Sequence, residues 1–190
     1  MKIGLFFGSF NPVHNGHLII ANYICETTEL EKVWMVVSPQ NPFKQKDKML
    51  SEYDRLHLIN LAIENNTNLK ASDVEFKLPR PSYTIDTLVY LQEKFPQHQF
   101  SLIMGGDNLS NLHKWKNYEL ILERYDIYIY RRKGSEAGLL DNHPKIHFLD
   151  VPMLDLSATF IRENLKKGIS MQYFMPDKVY EYIKEMNWYK

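Results

Sequence analysis

Short apolar runs that alternate with stretches of helical period constrain this chain more than any other feature. The strand-like runs are KIGLFF at residues 2–7, VWMVV at 33–37, FSLIM at 100–104 and IYIY at 127–130. Weaker runs lie at 69–74 and 146–149. Between them fall helical patterns at 17–27, 51–65 and 84–95, and a broken one over 109–122 with Trp115 near the break. Two more follow, at 159–167 and 176–186. Strands separated by helices pair in parallel, because the crossover returns the chain to the same end of the sheet. A strand covered on both faces reads as an unbroken apolar run, which these do. The expected architecture is therefore α/β: a Rossmann-like, doubly wound, mostly parallel sheet with helices on both faces. No repeat or long linker divides the chain, so residues 1–190 read as a single domain.

Local signals support these elements. Leu18, Ala21 and Ile24 share one face of the first helix. Leu56, Ile59 and Ile63 do so in the second, which Ser51 can cap. Val179, Tyr182, Ile183 and Met186 do so in the last, where Pro176 suits the first turn. Gly168 stops the helix before it. The polar loop at 40–48 and the Gly- and Pro-containing stretch at 131–144 read as irregular.

Charge and cysteine usage then narrow the function. Lys plus Arg is 23 and Asp plus Glu is 23, so no basic excess exists to coat a nucleic acid. The single cysteine, Cys25, cannot form an internal disulfide. No apolar run approaches the ~20 residues that span a bilayer, and no signal peptide is evident. A soluble cytoplasmic protein without nucleic-acid or membrane partners is expected. A homo-oligomer is compatible with the sequence.

The residues suited to chemistry cluster where the strands end, since ligands of open α/β sheets bind beyond the carboxyl ends of the strands. The first cluster runs Gly8-Ser9-Phe10-Asn11-Pro12-Val13-His14-Asn15-Gly16-His17. Gly8 allows a sharp turn and a close ligand. A helix starting near Asn15 would offer free N–H groups to phosphate. His14 and His17, three apart, fall on one helical face and can donate to phosphoryl oxygens. Read as bare types they are more often a cap and a surface residue; a metal pair is possible, but no third ligand is evident nearby. The second cluster, Leu156-Ser157-Ala158-Thr159-Phe160-Ile161-Arg162, offers two caps at a helix start and an arginine one turn inside. Alone it reads as a capped surface helix.

A third set could hold a second substrate. Pro81-Ser82-Tyr83-Thr84 opens a helix, with Thr84 as candidate N-cap. Gly105-Gly106-Asp107 ends a strand, where Asp107 could accept from a ribose or amino group or simply cap a helix. Trp115 and Tyr118 could stack on a flat ring or pack in the core.

Taken whole, G-x-F-x-P-x-H-x-G-H after the first strand resembles the signature of the H-x-G-H nucleotidyltransferases. Their members join a nucleotide to an acceptor and release pyrophosphate. PSYTIDTL, GGDNL followed by KW, IYRR, DLSATFIR and MPDKVYEYI are similar to one branch, the bacterial nicotinate-nucleotide adenylyltransferases. These pieces run from Gly8 to the last helix. The resemblance implies transfer of adenylate from ATP to nicotinate mononucleotide, giving deamido-NAD and pyrophosphate, in NAD biosynthesis. It implies ATP contacts from Gly8, Ser9, Phe10, His14, Gly16, His17, Gly105, Asp107, Ser157 and Arg162. Tyr83, Thr84, Asp107, Trp115 and Lys44 would hold nicotinate mononucleotide. His14, His17, Lys44 and Arg162 would carry the catalysis, and Mg²⁺ would arrive with ATP rather than in a protein metal site. An attacking phosphate is already anionic, so positioning and charge neutralisation suffice.

Three positions depart from the family pattern. Asn11 stands where an Asp is common, and is expected to shape the loop. Phe43 replaces a histidine and cannot hydrogen-bond, while Lys44 beside it keeps a cation. Lys116 follows Trp115 where an aromatic is common. Nicotinamide mononucleotide or phosphopantetheine as acceptor, or a non-catalytic nucleotide-binding sensor, are the competing readings. A dehydrogenase is poorly supported, because G-x-G-x-x-G is absent after the first strand.

Overall fold

Six strands form one parallel sheet in the order β3-β2-β1-β4-β5-β6. The strands are β1 (Lys2–Gly8), β2 (Lys32–Val37), β3 (Leu69–Ser72), β4 (Gln99–Gly105), β5 (Ile127–Tyr130) and β6 (Ile146–Leu149). The computed structural model describes residues 1–39, 49–131, 138, 140–152 and 154–190. The expectation for 40–48, with Lys44, and half of that for 131–144 fall outside the described residues. The helices are α1 (Asn15–Thr27), α2 (Glu52–Ile63), α3 (Thr84–Lys94), α4 (Gly106–Ser110), α5 (Tyr118–Arg124), α6 (Ala158–Lys166) and α7 (Asp177–Glu185). Strand order reverses between β1 and β4, and the crevice of a doubly wound sheet opens at such a reversal.

The alternating side chains of the strands feed two cores. Phe6, Val33, Met35, Val37 and Ile103 pack with α1, α2, α6 and α7 on one face. Ile3, Leu5, Trp34, Val36, Leu102 and Ile129 pack with α3 and α5 on the other. Successive strand residues point to opposite faces, so each unbroken apolar run supplies both layers.

Several local expectations hold and some shift. Ser51 caps α2 and Ser157 caps α6, accepting from the N–H groups of Asp54 and Phe160 at 3.1 Å each. Gly168 sits at φ +73°, and the N–H groups of Gly168 and Ile169 close back on the carbonyls of Leu165 and Asn164. That pairing is the Schellman ending of α6. Thr84 is not the cap of α3; Tyr83 is, with extended backbone and no side-chain bond to the helix. The broken helix splits at Asn117, whose left-handed φ of 51° an asparagine tolerates. Met186 is exposed because α7 has ended before it, and Tyr180 takes a buried place on that helix instead.

Candidate nucleotide-binding cleft

The first cluster turns differently from the simplest reading of its glycine. Gly8 stays in the strand; the left-handed residue is Phe10, at φ 45°, and the Asn11–Pro12 bond after it is cis. Gly8 matters sterically. A Cβ there would stand 2.8 Å from the Phe10 ring, which is itself 1% exposed. Gly8→Ala is expected to cost roughly 1–3 kcal/mol by overpacking. Chemical denaturation measures this, and a loss under about 0.5 kcal/mol would mean the ring yields.

His14 is the N-cap of α1 and His17 its third residue. Their rings stack 3.7 Å apart at 26°. The main-chain N–H of His14 donates to His17 Nδ1 at 3.3 Å. Nδ1 is then the acceptor, which assigns the ring proton of a neutral His17 to Nε2. His14 is 4% exposed, and its Nδ1 is buried without a partner. Burial pushes the His14 imidazole down to about 4. It is therefore neutral near pH 7, and two stacked imidazolium charges are avoided.

This burial has a consequence for stability. Between pH 6.5 and about 4 the unfolded chain takes up a proton that folded His14 refuses. The stabilisation is complete above that range and is lost as pH falls through it. The loss is about 2 kcal/mol by pH 5. Urea unfolding at pH 7.5 and pH 5 should show this drop, and His14→Gln should reduce it. An equal drop in both proteins would place the proton uptake elsewhere.

The second cluster lies against the first. Arg162 Nη1 donates to the Asn11 carbonyl at 2.8 Å and Nη2 to Thr159 Oγ1 at 3.2 Å. Two of its five N–H groups are used there, and the others remain for a ligand. A cleft of about 1690 Å³ opens between the two clusters, beyond the carboxyl ends of β1, β4 and β5. Ser9, Phe10, His14, Gly16 and His17 line it from one side and Ser157 and Arg162 from another. Gly105, Asp107, Tyr118 and Arg131 also line it. The free N–H groups of α1 and α6 serve the same space, so it is suited to a polyanion.

Tyr83, Thr84 and Trp115 do not line this cleft. Lys116 Nζ lies 4.9 Å from the Tyr83 ring centre and pairs with Asp86 at 2.8 Å, so the turn before α3 meets the corner after Trp115. Trp115 itself is half-buried against the second core. Lys44 lies outside the described residues.

Sequence reasoning missed three side chains that hold this site together. Arg55 of α2 is fully buried. Its guanidinium donates to the carbonyls of Ser9 at 2.6 Å, Ser38 at 3.0 Å, Leu50 at 3.1 Å and Pro39 at 3.4 Å. Tyr189, near the end of the chain, donates from its hydroxyl to Asn11 Oδ1 at 2.6 Å, and the Leu50 N–H reaches the same oxygen at 3.2 Å. Asn11 thus anchors the loop from its side chain, as its expected role required. Glu75, 3% exposed, lies under the turn before α3. The signal for Arg55 was its spacing: it shares the inward face with Leu58, Ile59 and Ile63, while Leu56 is half-buried.

Among the described residues no helix is long and apolar enough to cross a membrane. The cytidylyltransferase-like family model matches residues 5–164. A Flavobacterium psychrophilum protein described as a probable nicotinate-nucleotide adenylyltransferase is 55% identical, covering 100% of both chains. A Cytophaga hutchinsonii protein of the same description is 50% identical, covering 100% of this chain and 98% of that one. Among solved structures, Plasmodium falciparum nicotinic acid mononucleotide adenylyltransferase, complexed with NaAD, superposes with a TM-score of 0.82. It is 19% identical over 99% of this chain and 97% of that one, a likeness of fold. With the family model matching most of its length and full-length relatives at half identity, the chain belongs to the nicotinate-nucleotide adenylyltransferase family.

Proposed function

We propose that the cleft transfers the adenylyl group of ATP to nicotinate mononucleotide, forming deamido-NAD and releasing pyrophosphate. The observation that carries this is the pair His14–His17 at the start of α1, joined across the cleft to Arg162 by its bond to the Asn11 carbonyl. In the reaction an oxygen of the acceptor phosphate bonds to the α-phosphorus as the bond to the β-phosphate oxygen breaks. His17 donates from Nε2 to a phosphoryl oxygen whose charge rises in the transition state. Buried neutral His14 offers a hydrogen bond but no charge. Arg162 and the capped start of α6 neutralise the departing pyrophosphate. Lys44 keeps its assignment from the sequence as a further phosphate cation. Asp107 and the Gly105 turn face the nucleotides, and Tyr83 and Thr84 with Trp115 hold the pyridine ring and its carboxylate.

Among the described residues no group of three or more His, Cys, Asp or Glu could hold a metal ion. We assign Mg²⁺ to the triphosphate, since Mg²⁺ retains water and takes phosphate oxygens in preference to an all-protein cage. It supplies charge neutralisation as part of the co-substrate. Pyrophosphate release from MgATP, with nicotinate mononucleotide, nicotinamide mononucleotide and phosphopantetheine in parallel, tests the proposal. Strong preference for the first is expected. Preference for another acceptor overturns the roles of Tyr83, Thr84 and Trp115. ATP binding with no release leaves a sensor.

A further inference from the structure

Glu75 is a buried carboxyl that the reaction above does not use. It is 3% exposed, on a short 3₁₀ turn after β3 (Val74–Lys77). Thr87 Oγ1, on α3 and fully buried, donates to Glu75 Oε1 at 3.0 Å. The hydroxyls of Ser38, just past β2, and Ser82, in the turn before α3, face the same carboxyl and favour its charged form, while burial opposes it. Among the described residues Lys, Arg and His make no ion pair with it. Thr87 Oγ1 also lies 3.4 Å from the Tyr83 carbonyl. One carboxyl therefore gathers three hydroxyls, one from the end of β2 and two from the start of α3.

A group of this kind is a poor device for stability alone. Desolvating a carboxylate is costly, and an apolar side chain of similar size often serves a core as well or better. What it supplies is geometry, since each hydroxyl must meet it at a fixed distance and angle. We propose that Glu75 is a positioning residue for the acceptor site, holding the turn of Ser82, Tyr83 and Thr84 against the end of β2. Ser38 links this to the phosphate loop, because its carbonyl accepts from Arg55, which also holds the Ser9 carbonyl. The inference rests on the reading that nicotinate mononucleotide binds at Tyr83 and Thr84.

Steady-state kinetics with both substrates varied test this in Glu75→Gln, Thr87→Val and Tyr83→Ala. Glu75→Gln keeps the shape but turns an NH₂ group towards hydroxyl donors. It should raise KM for nicotinate mononucleotide about tenfold, as losing one buried hydrogen bond does, with KM for ATP unchanged. Thr87→Val should move the same ratio in the same direction. If Tyr83→Ala raises the acceptor KM but Glu75→Gln and Thr87→Val leave it unchanged, Glu75 is structural only and the proposal fails alone. If none of the three variants moves it, the acceptor binds elsewhere and the reading fails with the proposal. If Glu75→Gln does not fold, Thr87→Val decides by the same ratio.

Discussion

His17→Ala lowers kcat by roughly 10²–10³, the usual cost of removing one donor aimed at transition-state charge. The geometry makes this expectation specific. His17 Nδ1 is occupied by the His14 main-chain N–H, so only Nε2 is left to donate. The ring stands over His14 and edge-on to Phe10 at 5.0 Å, which fixes its direction before substrate arrives. A donor held in advance contributes more to the transition state than one that must first be ordered. KM for ATP should move little, because the donor strengthens as charge develops. His17→Asn sharpens the test: its side-chain oxygen can still accept from the His14 N–H, while the distant donor is gone. Both variants should lose kcat alike under single-turnover conditions. A kcat within about threefold of the parent in either would remove His17 from the transition state.

The strands and helices were legible because each depends on neighbours in sequence. A two-faced strand must be apolar throughout, and both Ser51 and Ser157 reach an N–H three residues ahead. The motif at the end of β1 was legible for the same reason: His14 and His17 meet within one turn. The shape of that loop was not. Nothing local says that Phe10, rather than Gly8, takes the left-handed conformation. The reason is distant, since the loop is held by Arg55, Tyr189 and Arg162 from positions 46, 178 and 151 residues away along the chain. Arg55 itself looks like an ordinary polar residue on an amphipathic helix. Only the carbonyls of Ser9, Ser38, Pro39 and Leu50, converging in space, give a guanidinium reason to be inside. Glu75 is hidden likewise, because its hydroxyl partners Ser38, Ser82 and Thr87 all lie outside its own turn.

The division between these two kinds of residue follows function. The groups proposed to meet phosphate sit at strand ends and helix starts, where the fold itself exposes N–H groups. Groups that hold them in place come from wherever a side chain can reach. Asn11 belongs to the second kind. Its side-chain oxygen accepts from both Leu50 and Tyr189, as a carboxylate oxygen could. As a neutral side chain, Asn11 makes these two bonds without placing a negative charge beside the cleft.

Arg55→Met should lower stability by roughly 3–5 kcal/mol, the cost of breaking a buried charged network by removing one member. The guanidinium is fully buried, and burial draws it below its usual value, though not to neutrality. Removing it ends that penalty but strands carbonyls from the ends of β1 and β2 and from the approach to α2. Each buried, unmet carbonyl costs about 1–3 kcal/mol, and water reaches some of them in relaxed structures. The net falls within the total stability of a typical domain, so the variant should fold with a lowered urea midpoint. Arg55→Lys should recover only part, since an ammonium is a compact donor that cannot span the fork of a guanidinium. Activity supplies the second readout. Freed from Arg55, the Ser9 carbonyl no longer fixes the turn that leads to His14 and His17. The folded fraction of Arg55→Met should therefore lose about tenfold or more in kcat. A variant that loses less than about 1 kcal/mol would show that the four carbonyls do not depend on Arg55. One that loses stability but keeps full kcat would confine Arg55 to the core and leave the loop to Arg162 and Tyr189.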